Sequence, residues 1–128
     1  PPKLTHLLKA GKIKLHEWHN IYNLPTFLDE LDIHAFVAPL NNNIFNECKS
    51  DIKIVEAGGL GVPCICQDMK TYRNSPLKFS TGADLGDQLH LIFNDLNLYK
   101  DHIRTYNDIT NQRWLDDNYD KHLKILTN

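Results

Sequence analysis

Apolar positions along this chain follow two different rules. Between residues 33 and 66 they come as short continuous runs. The stretches 33–38 (IHAFVA) and 62–66 (VPCIC) are apolar at nearly every position. Such runs predict strands buried on both faces. From Gly82 onward the apolar residues spread out. Leu85, Leu89, Ile92, Phe93 and Leu96 recur at helical spacing, as do Leu98, His102, Ile103 and Tyr106, and then Leu115, Tyr119, Leu123 and Leu126. Three helices are expected there.

Punctuation residues complete the outline. A helix over 3–9 should stop at Gly11, followed by a strand over 13–15. A helix over 25–31 can begin with Pro25 at its first position. Residues 41–46 read as a polar loop, 50–58 as a helix, and 78–80 as a short strand. Strands alternating with helices predict an α/β fold, a Rossmann-like parallel sheet with flanking helices. Residues 1–128 are expected to form a single domain, helical from about residue 84. In such sheets ligands bind where strand carboxyl ends meet helix N-termini. The loop over 39–50 lies at such a point.

The helix over 50–58 raises the first chemical question. On a helical wheel Ile52, Val55 and Gly59 form one stripe, expected to pack on the sheet. Lys49, Lys53 and Glu56 form a second stripe about 100° away. Ser50 is the expected N-cap. A helix N-terminus with lysines beside it suits phosphate, and a carboxylate further along can accept two hydroxyl hydrogen bonds. The same spacing also fits a solvated Lys53–Glu56 ion pair. Gly58 and Gly59 each cost a helix ~1 kcal/mol relative to alanine, so a close backbone approach to the sheet or to a ligand is expected. Gly61 reads as the residue that ends the helix.

Composition narrows the functional classes. With 14 basic and 16 acidic residues the net charge is −2, which argues against bulk nucleic-acid binding. No apolar run approaches the ~20 residues of a membrane span, and no signal-peptide pattern is visible. A cytoplasmic location is expected. The chain begins Pro-Pro-Lys rather than Met, so it reads as part of a longer protein. Cys48, Cys64 and Cys66 are an odd count that fits a reducing compartment. Cys64-Ile-Cys66 lacks the two-residue spacer of metal and redox motifs and reads as core packing.

Other candidates carry little chemistry. His16 and His19 lie three apart with no third ligand evident, so no metal site is expected. His34 reads as a strand histidine. Trp18 fits either ordinary packing or stacking on a nucleobase. Asp32 and Asp51 lack the partners of a phosphoacceptor pocket. No nucleophile elbow is present.

Several segments together resemble a known family. They are DIHAFVAPL, NIFNECKSDIKIVEAGGLGVPCICQD, Tyr72 and Thr81-Gly82, with GKIKLHEW and LPTFLDELDIHAFVAPL upstream. Over residues 11–85 they resemble the donor-binding, C-terminal half of GT-B glycosyltransferases, above all the retaining group 1 family. The core of that likeness is Glu56-Ala57-Gly58-Gly59-Leu60-Gly61-Val62-Pro63. The resemblance implies a nucleoside-diphosphate sugar as substrate, no cofactor and no metal. It implies that Glu56 takes the donor's ribose hydroxyls. The family often carries a first glutamate eight residues earlier, where this chain has Cys48. A sub-group shows Phe-Asn-x-x-Lys-Ser-x-x-Lys instead, which matches residues 45–53. By that match Lys49, Ser50 and Lys53 would hold the diphosphate, and Asn46 or Glu47 would face the donor sugar. Lys49, Lys53 and Glu56 are thus the expected catalytic set, with Asn46, Glu47, Ser50, Ile52 and Trp18 as donor contacts.

The implied activity is hexosyl transfer to a glycan or lipid-linked acceptor, as in polysaccharide biosynthesis. The acceptor would be held by a further N-terminal domain, and the full-length protein would associate peripherally with a membrane. Nucleic acid is not an expected partner. The competing expectation is a non-enzymatic, receiver-like α/β domain that binds a small anion or a partner. It should carry acidic residues at the end of its first strand.

Overall fold

A computed structural model describes residues 2–113. The chain divides after Asp32 into two compact units.

The N-terminal unit holds two short helices, α1 (Pro2–Lys9) and α2 (Leu24–Glu30). Gly11 adopts φ +67°, and α1 closes on it as expected. The Gly11 N–H donates to the Leu8 carbonyl at 3.1 Å and the Lys12 N–H to the Leu7 carbonyl at 3.0 Å. This pair of bonds is the Schellman closure, which the left-handed glycine makes possible. α2 starts within one residue of the expected position. The strand expected over 13–15 does not form; these residues have no regular structure. Two apolar residues around Lys14 offer little to bury without a neighbouring strand to pair with. His19 instead stacks on the Phe27 ring at 3.8 Å between centroids, and His16 meets that ring edge-on at 5.1 Å.

The C-terminal unit is a small mixed α/β fold. Its sheet holds β1 (Phe36–Ala38), β2 (Cys64–Gln67) and β3 (Lys78–Phe79), in that order and all parallel. The register pairs Val37 with Ile65 and Gln67 with Phe79. β1 and β2 are joined through α3 (Ile44–Glu47) and α4 (Ile52–Gly59). A 3-10 turn (Lys70–Tyr72) lies between β2 and β3, and α5 (Gly82–Asn94) and α6 (Leu96–Asn111) follow.

The central strand behaves as its apolar run predicts: Cys64, Ile65 and Cys66 are fully buried. β1 does not. It is three residues long, it lies at the sheet edge, and Val37 is exposed. The loop expected over 41–46 contains the single turn of α3.

The apolar stripe of α4 is rotated from the expected one. Ile54, Ala57 and Gly58 are the buried positions, whereas Ile52 is half exposed and a Cβ on Gly59 would meet open space. The reason is α6. It packs on α4 so closely that a Cβ on Gly58 would overlap the Thr110 side chain and the Tyr106 carbonyl. The close approach of Gly58 is therefore to a helix, not to the sheet or a ligand. Gly61, at φ +69°, closes α4 as expected: the Gly61 N–H reaches the Gly58 carbonyl and the Val62 N–H the Ala57 carbonyl.

α5 opens with a reciprocal capping box between Thr81 and Asp84, and Asp95 caps α6. Tyr106 of α6 is fully buried; its hydroxyl donates to the Cys64 carbonyl and lies 2.8 Å from Ser75 Oγ. The third helix expected from Leu115, and with it Trp114 and Tyr119, falls outside the described residues. No helix among the described residues is long and apolar enough to cross a membrane.

Candidate functional site

The site grows from the loop that leaves β1. Asn43 caps α3 by accepting the Asn46 N–H at 2.8 Å. The Asn46 amide turns inward and donates to the Asn41 carbonyl at 2.8 Å. The Thr71 hydroxyl, from the turn after β2, donates to the Asn46 carbonyl at 2.5 Å. These bonds join the segments that follow two neighbouring parallel strands. The junction lies at the carboxyl end of the sheet, where open α/β folds bind ligands.

A polar cavity of about 280 Å³ opens there. Glu47, Lys49, Ser50 and Asp51 line it from the first segment. Lys70, Thr71, Arg73 and Asn74 line it from the second, and Arg113 reaches it from just beyond α6. Four cations thus face two carboxylates, and the wall is net positive.

Two of these charges neutralise each other. Arg113 forks onto Asp51, with Nη1 and Nη2 at 2.7 and 2.9 Å from the two carboxylate oxygens. These hydrogen bonds hold the Asp51 carboxyl below its usual range, against the opposing effect of burial. Asp51 also takes the N-cap position of α4 expected for Ser50, but its side chain is turned to Arg113 and caps no N–H group. Lys49, Lys70 and Arg73 form no ion pair among the described residues. The Lys49 ammonium lies over the Phe45 ring, 4.9 Å from its centroid. Unpaired cations around a polar hollow attract an anion, and partial exclusion of solvent strengthens that attraction.

The residues singled out in the sequence fall into three groups. Glu47, Lys49 and Ser50 line the cavity. Asn46 is buried, with its side chain committed to the loop. Lys53 and Glu56 pair with each other at 2.7 Å and do not line the cavity, and Ile52 stands half exposed nearby in the chain. Trp18 belongs to the N-terminal unit, where it is 86% exposed. Sequence reasoning passed over Lys70, Thr71, Arg73, Asn74 and Arg113. The polar residues Lys70, Thr71, Arg73 and Asn74, separated by two residues from a buried strand, are a usable signal. Arg113 had none, because only the packing of α6 brings it back.

Cys64 and Cys66 are packed core thiols, 3.5 Å apart between sulfurs. Sharing a hydrogen bond with Cys66, and burial, push the Cys64 thiol up. Among the described residues no group of three or more His, Cys, Asp or Glu side chains is arranged to hold a metal. No protein-family model, no curated protein and no solved structure matches this chain.

Proposed function

We propose that the C-terminal unit binds the diphosphate of a nucleoside-diphosphate sugar in this basic cavity, as the donor-binding half of a GT-B glycosyltransferase. The observation that carries this reading is the set of three cations, Lys49, Lys70 and Arg73, around one polar hollow at the carboxyl end of a parallel sheet. None of them is ion-paired among the described residues. The Glu-Ala…Gly-Val-Pro segment supports the family assignment, and Gly61 closes α4 in the way that segment requires. Directly after β1 comes Pro39-Leu40-Asn41, without the carboxylates a receiver-like domain would need there.

The chemistry assigned to these residues is electrostatic. Negative charge grows on the diphosphate as the sugar leaves, and cations already in position stabilise it without reorganising. Lys49, Lys70 and Arg73 hold the phosphates, and Ser50 donates a hydrogen bond to them. Glu56 takes the ribose hydroxyls and Lys53 keeps its carboxylate in place, as the resemblance implies. The acceptor, a glycan or lipid-linked sugar, is bound by a further domain, so this chain alone binds without turning over.

Isothermal titration with pyrophosphate, UDP, GDP, ADP and dTDP tests the reading. Binding of pyrophosphate and of one nucleotide is expected, weakened by salt and by Lys70→Ala or Arg73→Ala. Absence of binding by all five at millimolar concentration overturns it.

A further inference from the structure

Among the described residues one ion pair stands in the cavity wall, and its carboxylate is turned away from the helix it should cap. Asp51 occupies the N-cap position of α4, where a carboxylate ordinarily accepts an N–H of the first turn. Here it caps nothing. Both of its oxygens are taken by Arg113, 62 residues further along, at 2.7 and 2.9 Å. The first-turn N–H groups of α4, which have no partner within a helix, are left without that acceptor. The cation is equally diverted. Arg113 lines the cavity, and a guanidinium fork fits phosphate as well as it fits carboxylate. A diphosphate offers that fork more negative charge than one carboxylate does.

We propose that Arg113 exchanges Asp51 for the bound anion, and that the released Asp51 carboxylate turns to cap α4. The inference rests on the anion-binding reading above. It adds a fourth phosphate ligand to Lys49, Lys70 and Arg73, together with the rearrangement that admits it. At Arg113 only the side chain has to move. Its N–H donates to the Thr110 carbonyl at 2.9 Å, and Thr110 lies against Gly58 where α6 meets α4. That end of α6 is held while the guanidinium swings. At Asp51 the backbone stands at φ −86° and ψ 34°. Capping residues are typically extended, so its part of the exchange is a rotation of ψ. The fork is weak enough to open, because its side chains are 33% and 18% accessible and partly exposed pairs contribute little. Once turned, the carboxylate no longer repels the phosphate, and its charge lies at the positive end of the α4 dipole.

Titration of pyrophosphate at low salt into the wild type, Asp51→Asn and the double variant Asp51→Asn/Arg113→Gln tests the exchange, with a melting curve of each variant to verify folding. Asp51→Asn should bind about fivefold tighter, because the competing carboxylate is gone. The double variant should bind about fivefold more weakly than the wild type, because it lacks the fourth ligand. A fork that stays closed is a neutral pair, and replacing it by two amides would leave affinity unchanged. Equal affinity of double variant and wild type therefore overturns the proposal, as does the lack of any gain in Asp51→Asn; the anion-binding reading survives both. Hydrogen exchange at the Lys53 N–H, which an N-cap side chain at position 51 reaches, reads the second half. Saturating pyrophosphate should slow it in the wild type and leave it unchanged in Asp51→Ala. Slowing in both means that the anion itself covers the helix end, and slowing in neither means that Asp51 does not turn; either overturns the proposal. If pyrophosphate binds neither the wild type nor Asp51→Asn, both readings fall.

Discussion

Gly58 of α4 lies against Thr110 of α6 with no room for a Cβ between them. The contact sets how near the two helices can come, and it is tightened by the Thr110 hydroxyl, which donates to the Val55 carbonyl at 3.3 Å. Gly58→Ala should cost ~1–3 kcal/mol or more from overpacking. Gly59→Ala, one position on, points into open space and should instead be neutral or stabilise by up to ~1 kcal/mol. Urea melts of the two variants check this; equal effects would show that helix propensity, not the α4–α6 contact, explains Gly58.

Tyr106 links α6 to the central strand. Its hydroxyl donates to the Cys64 carbonyl and adjoins Ser75, which itself donates to the Leu77 carbonyl at 2.9 Å. Burial pushes the phenol up, so it stays protonated. Tyr106→Phe removes the nearer hydroxyl from a buried carbonyl, leaving it only the long 3.5 Å contact from Ser75, and should cost ~1–3 kcal/mol. Thermal denaturation measures it, and an unchanged melting temperature counts against a structural role for the hydroxyl.

The Arg113–Asp51 fork gives stability a dependence on pH. Asp51 titrates below its ordinary 3.8 in the folded state because Arg113 hydrogen-bonds its charged form. The unfolded state therefore takes up the proton first. The contribution is fully present above pH ~4 and is lost as pH falls through the lower folded value. The pair is partly exposed, with side chains 33% and 18% accessible, so its size should not exceed ~1 kcal/mol. Asp51→Asn should flatten this part of the acid unfolding curve between pH 5 and pH 2. An unaltered curve would mean that other carboxylates set the acid limit.

Charge reversal probes the cavity more sharply than deletion. Lys70→Glu and Arg73→Glu should each weaken pyrophosphate binding at least tenfold at low salt, and the loss should shrink as salt rises. Lys53→Glu, one helical turn past the cavity wall, should have a smaller effect in the same titration. If all three losses are equal, binding follows net charge and not this pocket.

How much of this was legible beforehand depends on the range of the forces involved. Gly11 and Gly61 were readable as helix stops because a left-handed closure is local chemistry. The parallel order of β1 and β2 was readable because continuous apolar runs joined by a helix leave few alternatives. Which side of α4 is buried was not readable. Ile52, Ile54 and Val55 spread apolar surface around the helix, and the outcome depended on a neighbour about fifty residues away. The resemblance pointed to the segment over 45–53, and Glu47, Lys49 and Ser50 of that segment do line the cavity. It gave no hint that Asn46 turns inward.

The amino-acid sequence by itself determined the α/β class, the helix ends, the buried central strand and the polar segment after β1, all through periodicity and backbone preferences that act over a few residues. Only the tertiary structure decided that Lys70 and Arg73 join Lys49, that Arg113 returns to hold Asp51, and that the locally readable Lys53–Glu56 pair stands outside the cavity. Those relations depend on how α6 seats on α4 and how the turn after β2 bonds to Asn46, contacts between residues 25 to 62 apart that no local pattern encodes.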